Sequence, residues 1–150
     1  MRILICDDDL LIVEKLQKYL KSYFSHLHLS CPEIVCFSDG ESLLADPGDK
    51  DILFLDIEMP GLDGIYVGNE LKKKDKDIII FIITSYSEYL DEAMRFHVFR
   101  YLSNPIDRQR LFRNLKDALD LYHSTLLAAV MGMCELIVYS IIARTAPHFY

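Results

Sequence analysis

The stretch DILFLDIEMPGLDG, residues 51–64, joins a short unbroken apolar run to an aspartate, a Met-Pro-Gly turn and an Asp-Gly pair. A strand with one wet face alternates apolar and polar residues. A run without alternation is instead read as buried on both faces, as the inner strands of a parallel sheet are. Pro60, Gly61 and Asp63-Gly64 supply turn chemistry, and Asp63 can cap a helix that starts at Gly64. IIIFIIT at 78–84 is a second run of the same kind, and RILIC at 2–6, EIVCF at 33–37 and VFRYLS at 98–103 complete a set of β-rich segments. Helical patterns follow them at 10–24, 40–44, 64–73, 88–96 and 108–122, with Asp39 able to cap the second helix and Asp107 or Pro105 able to open the last. Strand and helix alternate five times. That order predicts an α/β fold, a parallel sheet with helices on both sides.

In such a sheet, ligands bind beyond the carboxyl ends of the strands, where the strand order reverses. The rule gives a location to Asp7, Asp8 and Asp9 after the first strand, Asp56 after the third, Thr84 at the end of the fourth, and Ser103 and Asn104 at the end of the fifth. Carboxylates gathered from two strand ends raise one another's pKa unless a cation offsets the repulsion, and hard oxygen donors of this kind suit Mg²⁺. A divalent metal site is therefore expected at Asp7, Asp8 and Asp56. Asp9 has a plainer reading as the cap of the first helix, where an acid is stabilised by the helix N-terminus.

Composition is consistent with this. The 150 residues suffice for one main domain, and 51% hydrophobic and 26% charged residues lie in the soluble globular range. A formal net charge of −7 repels phosphate backbones, so direct nucleic-acid contact by this chain is not expected. The four cysteines lack C-x-x-C spacing and the N-terminus lacks a cleavable signal pattern, which predicts a reduced, cytoplasmic protein.

The segments ILICDDD, LFLDIEMPGLDG, FIITS and YLSNPID, in that order and at those intervals, resemble the landmarks of a response-regulator receiver domain. The resemblance covers residues 1–123. It implies a doubly wound (βα)5, flavodoxin-like three-layer sandwich with five parallel strands in the order 2-1-3-4-5. It also implies two-component signalling, with Asp56 accepting a phosphoryl group from a sensor histidine kinase or phosphotransfer protein. By the same resemblance Asp8 and Asp56 ligate Mg²⁺ through carboxylate oxygens, Glu58 through its backbone carbonyl, and Asp7 mostly through water. Thr84 matches the switch hydroxyl, Ser85 the residue whose backbone N–H lies near the phosphate, and Tyr101 the switch aromatic. An exposed carboxylate beside Mg²⁺ is a competent nucleophile for phosphoryl transfer, which asks a protein chiefly for positioning and charge neutralisation.

One position departs from the pattern. The family has a lysine before the proline of the last loop, where this chain has Asn104 before Pro105. An amide offers neutral donors in place of a full charge, a difference on the order of 1 kcal/mol or more. Mg²⁺ binding is expected to survive and the phosphorylation response to change. Two other readings stand beside the phosphorylatable switch: a degenerate receiver acting as a phosphorylation-independent interaction module, motivated by Asn104, and a Mg²⁺-dependent phosphohydrolase. The last needs a general acid two residues beyond the nucleophile, and Glu58 fits poorly because the Met59-Pro60 turn follows at once.

The segment EYLDEAMRFHVFRYLSNPIDRQRLFRNL is similar to receivers of LytTR-type transcription regulators, in which a DNA-binding domain follows. No room for that domain is expected within these residues. Residues 124–150 form an apolar tail, read as a segment packing on the receiver or on a second copy, or as the truncated start of an output domain with CELIVYSII as its opening strand. A membrane span is not expected, since Glu135 interrupts the run and no basic cluster fixes an orientation. Homodimerisation through the fourth helix, fifth strand and fifth helix is what the resemblance implies. His97, His123 and the KKKDKD run at 72–77 are read as ordinary surface or helix-end residues.

Overall fold

The computed structural model describes residues 1–145. Its elements are β1 (Arg2–Cys6), α1 (Leu10–His26), β2 (Glu33–Phe37), α2 (Gly40–Ala45), β3 (Ile52–Leu55), α3 (Gly64–Lys74), β4 (Ile79–Thr84), α4 (Leu90–Arg95), β5 (Arg100–Ser103) and α5 (Arg108–Thr145). All strand pairs are parallel, in the order β2-β1-β3-β4-β5. The fold is the doubly wound (βα)5 sandwich that the strand pattern and the resemblance predict. Residues up to Ala118 form one compact unit, and a second begins at Leu119.

Burial follows the apolar runs. Every residue of β3 and β4 is buried, while the edge strands β2 and β5 are partly exposed. Phe54 and Phe81 stack across the β3 and β4 pair with ring centroids 4.7 Å apart. On one face of the sheet Leu4, Leu53, Ile80 and Ile82 pack with Val67, Leu71 and Phe96. On α1 and α5, Leu16, Leu20, Leu111 and Leu115 are buried, and Tyr23 meets the edge of Phe112 at 5.1 Å. Each such side chain contributes roughly 1.5–3 kcal/mol when fully removed from water.

The helix starts follow the acids. Asp9 accepts from the Leu11 N–H at 3.0 Å, Asp39 from Ser42 N–H at 2.7 Å, Asp63 from Tyr66 N–H at 2.8 Å and Asp107 from Arg110 N–H at 2.6 Å. Asp107 rather than Pro105 therefore opens α5. The fifth strand is shorter than VFRYLS suggests, although Phe99 still donates its N–H to the Ile80 carbonyl at 2.8 Å.

The tail corrects one expectation. Residues 134–142, read as a possible opening strand, are helical, and α5 runs without a break to Thr145 rather than ending near 122. Propagation adds one hydrogen bond per residue once a helix is nucleated, and Leu126 to Met131 are mostly good helix formers. Ile137, Val138, Ile141 and Ile142 do not stop a helix that began at Arg108. The tail beyond Thr145 lies outside the described residues.

Gly64 sets how closely α3 approaches the end of β3. A Cβ there would lie 2.1 Å from the Asp56 carbonyl oxygen and 2.8 Å from Ile57 Cα, and the Gly64 N–H donates to the Ile57 carbonyl at 2.9 Å. Backbone cannot yield as a flexible side chain can. Gly64→Ala is expected to lower stability by about 1–3 kcal/mol, read as a reduced urea midpoint with an unchanged denaturant slope.

Candidate functional site

The parallel register carries the acids together. Cys6 pairs with Leu55, and the Asp56 N–H donates to the Cys6 carbonyl at 3.0 Å, so the chain leaves both strands at the same level. Asp7 is buried, Asp56 half-buried and Asp8 exposed, and one carboxylate oxygen from each lies within 4.8 Å of the others. They line a cavity of about 290 Å³ with Asp9, Glu58, Thr84, Ser85, Tyr86 and Asn104. Five carboxylates and no lysine or arginine stand among the described residues of that lining.

The local hydrogen bonds show how each group is held. Asp7 Oδ1 accepts from the Asp9 N–H at 2.8 Å, and Asp56 Oδ1 from the Ile57 N–H at 2.8 Å. Thr84 is buried at the end of β4 and its Oγ1 accepts from the Tyr86 N–H at 3.3 Å. The half-buried Asn104 donates its backbone N–H to the Thr84 carbonyl at 3.0 Å, and the Asn104-Pro105 bond is cis. The Glu58 carboxylate accepts from the Tyr89 hydroxyl at 3.2 Å. The Tyr101 hydroxyl donates to the Tyr86 carbonyl.

Burial pushes the Asp7 carboxyl up to about 7, partly offset by the Asp9 N–H and reinforced by Asp56 and Asp8. Burial likewise pushes Asp56 up to about 6, against the Ile57 N–H and with the help of Asp8. Both shifts report chiefly the cost of burying an ionised carboxyl, with a smaller part from the neighbouring acids. Hard carboxylate oxygens from three residues suit Mg²⁺, whose ligands lie about 2.0–2.1 Å from the ion, so that two of them are at most about 4.2 Å apart. The Asp7, Asp8 and Asp56 oxygens, within 4.8 Å of one another, stand close to that limit.

Asp7, Asp8, Asp56, Glu58, Thr84, Ser85 and Asn104 thus meet at one cavity, while Tyr101 lies in β5 and reaches the loop after β4 through its hydroxyl. Sequence reasoning missed Tyr86 as a lining residue and as the holder of Tyr101. The available signal was its place two residues beyond Thr84, past a strand's carboxyl end.

Residues 3–116 match the response regulator receiver domain family. The chain is 35% identical over 118 residues to the transcriptional regulatory protein BtsR of Escherichia coli K12, covering 77% of this chain and 46% of BtsR. It is 28% identical over 116 residues to the sensory transduction protein LytT of Bacillus subtilis, covering 77% of this chain and 47% of LytT. Among solved structures it is similar to the response regulator TrrA of Thermotoga maritima in complex with Mg²⁺-BeF, with 32% identity and a TM-score of 0.68, covering 78% of this chain and 97% of that one. The chain belongs to the response regulator receiver family of two-component systems, and LytTR-type regulators are among its relatives. It spans about half the length of BtsR and LytT.

Asp7 and Asp56 bind protons more tightly in the folded chain than in the unfolded one, where both titrate near 3.8. As pH rises from about 4, ionisation is favourable in the unfolded chain before the folded one follows near 6 and 7. These two groups therefore make the metal-free fold progressively less stable up to about pH 7, after which their effect is level. A divalent cation taking the ionised forms would reverse the trend. Thermal unfolding is expected to show a larger Mg²⁺-induced rise in Tm at pH 8 than at pH 5; an equal rise at both would remove the carboxylates as its cause.

Proposed function

We propose that the chain is a phosphorylatable switch in which Asp56 accepts a phosphoryl group from a sensor histidine kinase. The observation that carries this reading is the convergence of Asp7, Asp8 and Asp56 from two strand ends in one cavity with the Thr84 hydroxyl and Asn104. Asp7, Asp8, Asp56 and the Glu58 backbone carbonyl would hold Mg²⁺, which when bound neutralises charge on the transferring group. An Asp56 carboxylate oxygen attacks phosphorus as the bond to the donor's imidazole nitrogen breaks, leaving an acyl phosphate on Asp56. The Thr84 hydroxyl and the Ser85 backbone N–H donate to the phosphoryl oxygens. Once Thr84 turns inward, the space it vacates is available to the Tyr101 ring, whose hydroxyl then leaves the Tyr86 carbonyl.

Residues 1–123 act as the switch and residues 124–150 as a separate tail. The setting is cytoplasmic, where the kinase meets its phosphodonor. Phosphorylation favours a homodimer, and the output is transcriptional, as the printed name of the BtsR relative suggests. Incubation with a small phosphodonor and Mg²⁺ is expected to add one phosphoryl group by intact mass, and none to Asp56→Asn or in the presence of a chelator. Modification that persists in Asp56→Asn would place the acceptor elsewhere.

Asn104 favours a second reading, a receiver that works through protein contact without phosphorylation. Failure of beryllofluoride to bind in the presence of Mg²⁺ would select it. If the missing cation matters as the first reading holds, Asn104→Lys is expected to change phosphorylation rate or phosphoryl lifetime by roughly five-fold or more, the equivalent of about 1 kcal/mol. Kinetics identical to the parent would refute that role for the position.

A further inference from the structure

The last part of α5 carries more apolar surface than a helix in water can keep. An 18-residue window within it has a mean hydropathy of 2.0, and none of that window is buried. At 100° per residue, Leu126 and Ile137 fall on one side of the helix and Ile142 and Tyr139 on the other, all of them about half exposed or more. The apolar residues thus wrap the circumference. We propose that residues 126–145 insert across a lipid bilayer and tether the receiver to a membrane surface.

Four observations favour lipid over other occupants. A core helix of a soluble domain passes a hydropathy test because it is buried, and this one is not. A leader segment precedes a folded domain, whereas this helix follows one. A second copy or another partner helix covers a stripe, which leaves the rest of an all-round apolar helix in water. A helix lying flat in the headgroup region needs a strongly charged face, and within residues 126–145 the charges are Glu135 and, at the end, Arg144. Twenty residues at 1.5 Å each span about 30 Å, the thickness of a hydrocarbon core.

Glu135 is the feature that counts against a span in the sequence alone. On the helix it lies opposite the face formed by Leu126, Val130, Ile137 and Ile141, on the side that carries Ala128, Met131, Tyr139 and Ile142, so it does not interrupt that face. An acid within a span is costly, and the insertion tendency of the eight Leu, Ile and Val residues between 126 and 142 opposes that cost. The proposal is independent of Asp56 phosphorylation, because a tethered receiver could work by either reading of the site.

The test is cell-free synthesis of the full chain with preformed vesicles of phosphatidylcholine and phosphatidylglycerol, followed by flotation and an alkaline carbonate wash. The parent chain is expected to float and to resist the wash. Val130→Lys combined with Ile137→Lys is expected to reduce the floating fraction at least ten-fold while leaving the thermal transition of the receiver in place. Glu135→Leu, which removes a charge without adding one, is expected to raise that fraction and so guards against misfolding of the lysine variant. A parent chain left at the bottom of the gradient, as a monomer, as an oligomer of this chain or as a pellet, would overturn the proposal. Release by carbonate would also overturn it, since a peripheral helix is not a span.

Discussion

The register between β1 and β3 is the constraint on which the site depends. Cys6 opposite Leu55, with the Asp56 N–H on the Cys6 carbonyl, brings Asp7 and Asp56 out of the sheet side by side. A slip of one residue would turn every side chain of β3 to the other face, moving Asp56 out of the cavity and Leu53 and Leu55 out of their packing. The same apolar residues that hold the register thus hold the acids together, against the cost of burial, and the smaller mutual repulsion, expressed in the raised Asp7 and Asp56 carboxyls. Core burial sustains a local electrostatic cost at a ligand site.

Much of this arrangement is legible in residue order. The unbroken runs Ile52–Leu55 and Ile79–Thr84 identify the buried central strands because no polar residue offers either face to water. The caps at Asp9, Asp39, Asp63 and Asp107 are readable because a short acid before an apolar period has one economical use, satisfying free N–H groups. Placement of Asp7, Asp8 and Asp56 in one crevice follows from the rule that ligands gather at strand carboxyl ends.

Other features depend on distances that no local pattern encodes. The Tyr101 to Tyr86 bond joins a strand to a loop 15 residues away, and the Glu58 to Tyr89 bond spans 31. Neither partner has an unusual neighbour to announce it. The tail failed for a different reason. Its Ile and Val residues favour strands by propensity, yet a strand needs a pairing partner whereas a helix satisfies its backbone within itself, and α5 was already running when it reached them.

The Tyr101 hydroxyl bond to the Tyr86 carbonyl also bears on how sharply the molecule can respond. A neutral hydrogen bond contributes about 1 kcal/mol net, which by itself biases two ring positions by only about five-fold. Such a latch leaves the alternative position populated before any ligand arrives. Under the proposed switch, ligands that engage Thr84 would act on an existing equilibrium and the output would scale with how far they shift it, as a dimmer with a resting glow and not as a toggle.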